Sequence, residues 1–192
     1  MYCIRLAYLQ EDCDNAIPHQ HLKSSNILLD KQWNPKISDF GISKILGPDK
    51  NGDLTTPLGM SGYIAPEYNS FLLDVKSDVF SFGVLVMEIV SGRTPVQYFP
   101  DDIQEYLVDW MKNMVSEGRL DEVLDPRLPA MPSLVDLKRI VLIALRCVDP
   151  DPSNRPNMGD VIHMLEPRDL LLNDAKSATS SYTETETDQG TT

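Results

Sequence analysis

Within eight residues the chain brings together two imidazoles, an amine and two carboxamides, in His19-Gln20-His21-Leu22-Lys23-Ser24-Ser25-Asn26. Imidazole titrates near pH 6.5, so His21 can take up a proton at neutral pH and act as a general base. It also stands at i, i+2 from His19, the start of a metal site for which the sequence offers no evident third and fourth ligands. Thirteen positions beyond Asn26 lies a carboxylate, Asp39, in Asp39-Phe40-Gly41, and Ala65-Pro66-Glu67 follows. Either tripeptide alone reads as a turn. Their order and spacing relative to the first loop are what carry information.

The elements that position these groups can be read from pattern. Met1 to Gln10 is apolar-rich and reads as the end of a helix, with Asp12 to Pro18 as its exit turn. Ile27-Leu28-Leu29 and Lys36-Ile37-Ser38 read as short strands around a polar turn at Asp30 to Pro35, which sets Asn26 and Asp39 close together. Residues 42–64 lack steady periodicity and contain Gly47-Pro48, Asn51-Gly52 and Thr55-Thr56-Pro57, which predicts a mobile segment. A helix is expected from Ser77 and Asp78 to about Ser91, stopped by Gly92 and apolar nearly all round, as a core helix is. Ile103, Leu107, Trp110, Met111 and Met114 mark one amphipathic helix, and Leu137, Ile140, Val141, Ala144, Leu145 and Val148 a second. Asn157 caps a last helix carrying Met158, Val161, Ile162 and Leu165, ended by Pro167.

Composition narrows the function classes. With 17 basic and 29 acidic residues the net charge is −12, which argues against nucleic acid or anionic lipid as the main partner. Cys3, Cys13 and Cys147 are odd in number and in no metal-like spacing, so a reducing compartment and simple burial are the plain reading. Val79 to Val90 is too short to cross a bilayer and contains Glu88, and Met1 opens no secretory signal. The chain as given is expected to be soluble and cytoplasmic. From Ser177 onward nine of sixteen residues are Ser or Thr, too poor in apolar side chains to fold alone.

From about residue 6 to 172 the chain resembles the large lobe of plant receptor-like serine/threonine kinases. The resemblance rests on Leu6-Ala7-Tyr8-Leu9, on Lys23-Ser24-Ser25-Asn26-Ile27-Leu28-Leu29-Asp30 and on Lys76-Ser77-Asp78-Val79-Phe80-Ser81-Phe82-Gly83. Lys31-Gln32-Trp33-Asn34, Arg146-Cys147-Val148-Asp149-Pro150 and His163-Met164-Leu165-Glu166 further resemble a subgroup with a membrane anchor and a cytosolic kinase domain. The implied fold is mainly α: a protein-kinase-like C-lobe over residues 1–167, a helical core with short catalytic-loop β-hairpins. Residues 168–192 are expected to be a disordered, acidic, Ser/Thr-rich tail. The small N-lobe, with its Gly-rich loop and strand Lys, is absent from the sequence as given.

The resemblance also assigns roles. Lys23 neutralises the moving phosphate, Asn26 and Asp39 hold Mg2+, and the three together contact ATP. Glu67 pairs with Arg155 beneath the activation segment, and Asp78 accepts hydrogen bonds from the catalytic-loop backbone. Three departures stand out. His21 occupies the place of the proton-accepting Asp, Gln20 that of an Arg which clamps a phosphate on Thr55 or Thr56, and Met60 that of a Thr near the substrate. His21 is then a substitute base, a metal ligand or, as favoured here, a relic in a loop freed from catalytic demand. The function expected is a catalytically impaired kinase module that binds a protein substrate or a partner kinase. The alternatives are a fragment of an active ATP-dependent serine/threonine kinase and a chain that does not accumulate in the cell.

Overall fold

The computed structural model describes residues 6–8, 17–39, 60–70 and 74–166. Most of the expected exit turn from Asp12 to Pro18, most of the aperiodic segment after Gly41 and the tail from residue 168 lie outside them.

Helix α1, Val75–Ser91, forms the axis of the fold. It begins three residues earlier than the sequence suggests. The Asp74 side chain accepts from the Lys76 N–H, so Ser77 and Asp78 fall inside the first turn and are buried. Their side chains serve distant partners instead of capping. Gly92 closes the helix in the left-handed region, φ 65°, a conformation that costs glycine nothing.

Two apolar clusters flank α1 and explain why it is apolar all round. Phe80, Val84 and Met87 face a cluster built with α2, Leu107–Ser116, through Leu107, Met111 and Met114, and with Leu137 and Val141 of α3, Leu134–Cys147. Val79 and Phe82 face the other, with Leu6, Leu22, Ile143, Cys147, and Met158 and Val161 of α4, Met158–Leu165. Each such side chain, fully buried, contributes about 1.5–3 kcal/mol, so a helix with two apolar faces is held by packing more than by its caps. Helix α4 starts where expected, Asp160 accepting from the Asn157 N–H at 3.2 Å.

Two small antiparallel hairpins complete the described structure. Strands β1, Ile27–Leu29, and β2, Pro35–Ile37, pair with Ile27 opposite Ile37, one residue earlier on the second strand than the sequence reading. Asp30 organises their turn by accepting from the N–H groups of Gln32 and Asn34, each at 2.9 Å. The hairpin of β3, Val96–Tyr98, and β4, Gln104–Tyr106, was not anticipated. It displaces the expected start of α2: Ile103, which shares the helical spacing of Leu107 and Trp110, lies in the hairpin loop and is 60% exposed. The loop is closed by Phe99 N–H to Ile103 O at 2.9 Å, with Asp101 and Asp102 at φ 68° and 58°. The aperiodic segment also ends in order: Tyr63 N–H reaches Met60 O at 2.9 Å, and both side chains are buried.

Helices α1 and α3 come close together at Gly83. A Cβ there would meet Cys147 Cβ and Val148 Cγ1 at 2.8 Å and Ala144 O at 2.9 Å. Gly83→Ala is therefore expected to destabilise the fold, overpacking costing about 1–3 kcal/mol against the roughly 1 kcal/mol that Ala gains in helix propensity. A lowered urea midpoint is the expected result, the reverse of what propensity alone gives.

Candidate active site

The loop at positions 19–26 is held from below. The Asp78 carboxylate, buried in the first turn of α1, accepts from the His19 N–H at 2.6 Å and the Gln20 N–H at 2.7 Å. These short bonds satisfy two backbone donors, and the helix N-terminus stabilises the charge that makes them. Gln20 sits in the left-handed region, φ 61°, an uncommon conformation for a non-glycine residue. Because both bonds go to backbone, they do not depend on the side chains at 19 and 20.

The ring nitrogens of His19 are both engaged. Nδ1 accepts from the His21 N–H at 3.1 Å, so the proton is on Nε2, which donates to Ser38 O at 3.0 Å. The ring is buried, and desolvation lowers its pKa below 6.5, with the Ser38 carbonyl partly opposing. A metal ion would have to break one of these bonds to use His19. Among the described residues there is no group of three or more His, Cys, Asp or Glu able to hold a metal ion.

His21 is fixed by Asn26. The Asn26 amide nitrogen donates to His21 O at 2.9 Å and to His21 Nδ1 at 3.0 Å. The carbonyl contact sets the amide orientation, because a backbone oxygen only accepts. Nδ1 is therefore the unprotonated nitrogen, and Nε2 carries the hydrogen of the neutral ring. Burial, and next the Lys23 ammonium, lower the His21 pKa below 6.5, with Asp39 opposing. The one nitrogen able to accept a proton is thus already occupied.

Lys23 precedes the single 3₁₀ turn Ser24–Asn26, and its carbonyl accepts from the Asn26 N–H at 3.0 Å. The Asn26 carbonyl accepts from both the N–H and the hydroxyl of Ser38, at 2.9 and 3.1 Å. This clamp across the β1–β2 hairpin brings Asp39 beside the loop, exposed and at φ 61°. Phe40, Gly41, Thr55 and Thr56 lie outside the described residues.

Beneath the site, Glu67 and Arg155 meet face to face. Arg155 Nη1 and Nη2 donate to Glu67 Oε1 and Oε2 at 2.6 and 2.8 Å. The guanidinium also reaches Asp149 O at 2.8 Å and Lys76 O at 2.9 Å, and lies 5.1 Å over the Phe80 ring. Arg155 is 2% exposed. Ser77 Oγ adds a bond to Glu67 Oε1 at 3.0 Å. Burial raises the Glu67 pKa, but Arg155 and Ser77 outweigh it and hold the carboxyl below its usual value.

One cluster escaped sequence reasoning. Glu88, the lone charge in the apolar stretch of α1, accepts from the Tyr63 hydroxyl, and Ser24 Oγ lies 3.0 Å from that hydroxyl and 3.4 Å from Glu88 Oε1. Burial raises the Glu88 carboxyl above its usual range despite the Tyr63 and Ser24 bonds. A carboxylate inside an apolar helix needs a partner, and that was the available signal. Met60 fills the core beside Tyr63.

Residues 5–165 match the family model described as protein kinase domain. The chain belongs to the protein kinase family. A probable receptor-like serine/threonine-protein kinase of Arabidopsis thaliana is 50% identical over 166 residues, covering 86% of this chain and 38% of that protein. A second Arabidopsis relative, a probable receptor-like protein kinase, is 51% identical over 162 residues, covering 84% of this chain and 34% of that one. The chain thus spans about a third of the length of these curated relatives. Among solved structures, the pseudokinase domain of BIR2, an immune regulator of the RLK/Pelle family, superposes with a TM-score of 0.67 at 32% identity, covering 85% of this chain and 48% of that one. The mainly helical kinase-like architecture and the likeness to plant receptor-like serine/threonine kinases are therefore established. Among the described residues no helix is long and apolar enough to cross a membrane.

These contacts set specific expectations for this kinase-family chain. The imidazole 15N shifts of His21 should show a bare Nδ1 and a protonated Nε2, and Asn26→Ala should raise its pKa. Glu67→Gln should destabilise by about 3–5 kcal/mol in urea unfolding, the cost of stripping one partner from a buried pair. Because the folded-state pKa of Glu67 is depressed, its contribution is complete above the unfolded value of about 4.3 and is lost as the pH falls through the folded value. The stability gap between wild type and Glu67→Gln should accordingly narrow below about pH 4.3.

Proposed function

We propose that this chain is a kinase-family module that does not transfer phosphate at a useful rate and acts by binding a protein, either a kinase or a kinase substrate. The observation that carries the reading is the occupied acceptor of His21: Asn26 already donates to Nδ1, and Nε2 bears a hydrogen. A substrate hydroxyl at this position meets no ready base. The loop otherwise keeps a kinase-like frame through Asp78, and the Glu67–Arg155 pair keeps the segment after residue 60 in place. Likeness to the pseudokinase domain of BIR2 supports the same reading.

Residues suited to a nucleotide persist. The Asn26 amide oxygen and the exposed Asp39 carboxylate are hard oxygen donors of the kind Mg2+ takes, and no described residue donates to that amide oxygen. With Lys23 they would hold Mg2+ and the phosphates of ATP, the metal supplying charge neutralisation there. Binding without turnover is the expected behaviour.

The alternative is a piece of an active serine/threonine kinase, favoured by the lengths of the relatives, of which this chain covers 38% and 34%. In that longer protein His21→Asp would raise phosphate transfer by about 10²–10⁴-fold, the usual worth of a positioned base. For the chain itself, radiolabelled ATP with Mg2+ and a generic protein substrate should give no transfer above background. Transfer that disappears in Asp39→Ala would overturn the proposal.

A further inference from the structure

The β3–β4 hairpin has one face committed to the fold and one left open. Antiparallel pairing sets Val96 opposite Tyr106 and Tyr98 opposite Gln104, so these four side chains share a face, and Gln97 and Glu105 share the other. Arg93 secures the second face. It donates to Gln97 Oε1 at 2.7 Å and to Glu105 Oε2 at 3.0 Å, while its guanidinium lies 4.0 Å over the Trp110 ring. On the first face only Val96 is buried. Tyr98 is 65% and Tyr106 41% exposed, and as diagonal neighbours they stand about 7–8 Å apart. Phe99 and Ile103, in the loop beyond them, add exposed apolar surface.

This face adjoins a cavity of about 380 Å³, of which Tyr106 forms one wall. Buried Phe80 and Val148 line it together with half-buried Ile64 and Val108, and the exposed Asp109 and Lys112 of α2 add two charges. The Leu107 N–H donates to Pro95 O at 2.9 Å, tying the start of α2 to the residue before β3. Cavity and hairpin face therefore form one continuous surface. The volume lies at the small end of the range for ligand pockets, about 300–1,000 Å³, and suits a bulky apolar side chain with its neighbours.

Charge selects the occupant. Asp101 and Asp102 in the hairpin loop and Asp109 at the cavity are exposed, against the single cation Lys112, and Glu105 is matched by Arg93. The local balance is acidic, as is that of the chain, −12. A second copy would bring like charge to like. The chain's own end, with Glu184, Glu186 and Asp188 and no basic residue after Lys176, would do the same. A cationic segment of another protein is what such a surface attracts. Asp102 stands four residues before Tyr106, a span of at most about 13–14 Å. An apolar anchor in the cavity and a cation at the loop thus lie within about four residues of each other in an extended segment.

We propose that the cavity and the Tyr98–Tyr106 face together dock a basic segment of a partner protein, with an apolar side chain in the cavity and its cations against Asp101 and Asp102. This rests on the reading of the chain as a protein-binding module and adds the partner's chemistry to it.

The test is fluorescence anisotropy of the full 192-residue chain with the labelled peptide Arg-Arg-Gln-Gln-Leu-Gln-Gln-Arg-Arg, which sets cations on both sides of one apolar anchor and has no hydroxyl to phosphorylate. Saturable binding that weakens with salt is expected. Exchanging the peptide's arginines for glutamates, or its leucine for alanine, should weaken binding on the order of 10-fold. Tyr98→Ala with Tyr106→Ala should have an effect of about the same 10-fold size. Asp101→Asn with Asp102→Asn, which suits the left-handed backbone at both positions, should cost about 5-fold and flatten the salt dependence. All four side chains are exposed, so urea midpoints should not move. The proposal is overturned by absence of saturable binding, by binding that survives the tyrosine variant, by a preference for the glutamate peptide, or by a dimer in sedimentation velocity that the tyrosine variant abolishes. That dimer would assign the face to a second copy. Phosphate transfer is read separately: transfer alongside tyrosine-dependent binding would overturn the function proposed above and support the docking surface, whereas no transfer and no binding would overturn the surface alone.

Discussion

A single buried carboxylate joins the core of this protein to its loop chemistry. Asp78 rises from the first turn of α1 and holds the backbone of residues 19 and 20. Out of water, a carboxylate is tolerable only when well bonded, and two backbone N–H groups aided by a helix N-terminus meet that demand. The loop conformation, including the left-handed Gln20, is thus tied to the helix that organises both apolar clusters. Loss of the carboxylate would leave two donors unsatisfied in the interior and free the loop from its base.

This arrangement explains how a kinase-family frame persists with altered side chains. The contacts that set the loop run through main chain: Asp78 to residues 19 and 20, Asn26 to the His21 carbonyl, Ser38 to the Asn26 carbonyl. None requires Arg at position 20 or Asp at position 21. Substitution there changes what the loop can do to a ligand without unfolding it. His19 and His21 have also been absorbed into the frame, each ring holding a hydrogen bond that fixes its tautomer. The Glu67–Arg155 pair acts on the same principle further along the chain. Arg155 is surrounded by the carbonyls of Asp149 and Lys76 and the ring of Phe80, so its charge is satisfied from several sides. Buried pairs of this kind add little net stability compared with an apolar isostere, yet are costly to break, which makes them good devices for fixing one geometry.

Much of the frame was legible in the sequence. Helical spacing located the core faces of α2, α3 and α4, Gly92 marked the end of α1, and the family resemblance pointed to the Glu67–Arg155 contact and to the bonds from the backbone of residues 19 and 20 to Asp78. Boundaries were less legible. Ser77 resembles a helix cap, but it bonds to Glu67 across the fold, and only the neighbour Asp74 caps. Ile103 fits a helical face by number alone, because four residues separate it from Leu107 whether the chain between is helix or hairpin. Local pattern carries no term for such long-range partners.

By itself the sequence determined the family, the all-round apolar character of the central helix, and the replacement of a carboxylate by imidazole at position 21. Those are matters of residue type and order, which a one-dimensional chain records completely. Only the tertiary structure decided that the His21 acceptor nitrogen is taken by Asn26, that Glu88 is partnered by Tyr63 and Ser24, and that Arg139 of α3 reaches the Glu166 carbonyl just past α4. Each depends on which atoms from distant positions come within about 3 Å and with what orientation, because hydrogen bonds weaken steeply with distance and angle.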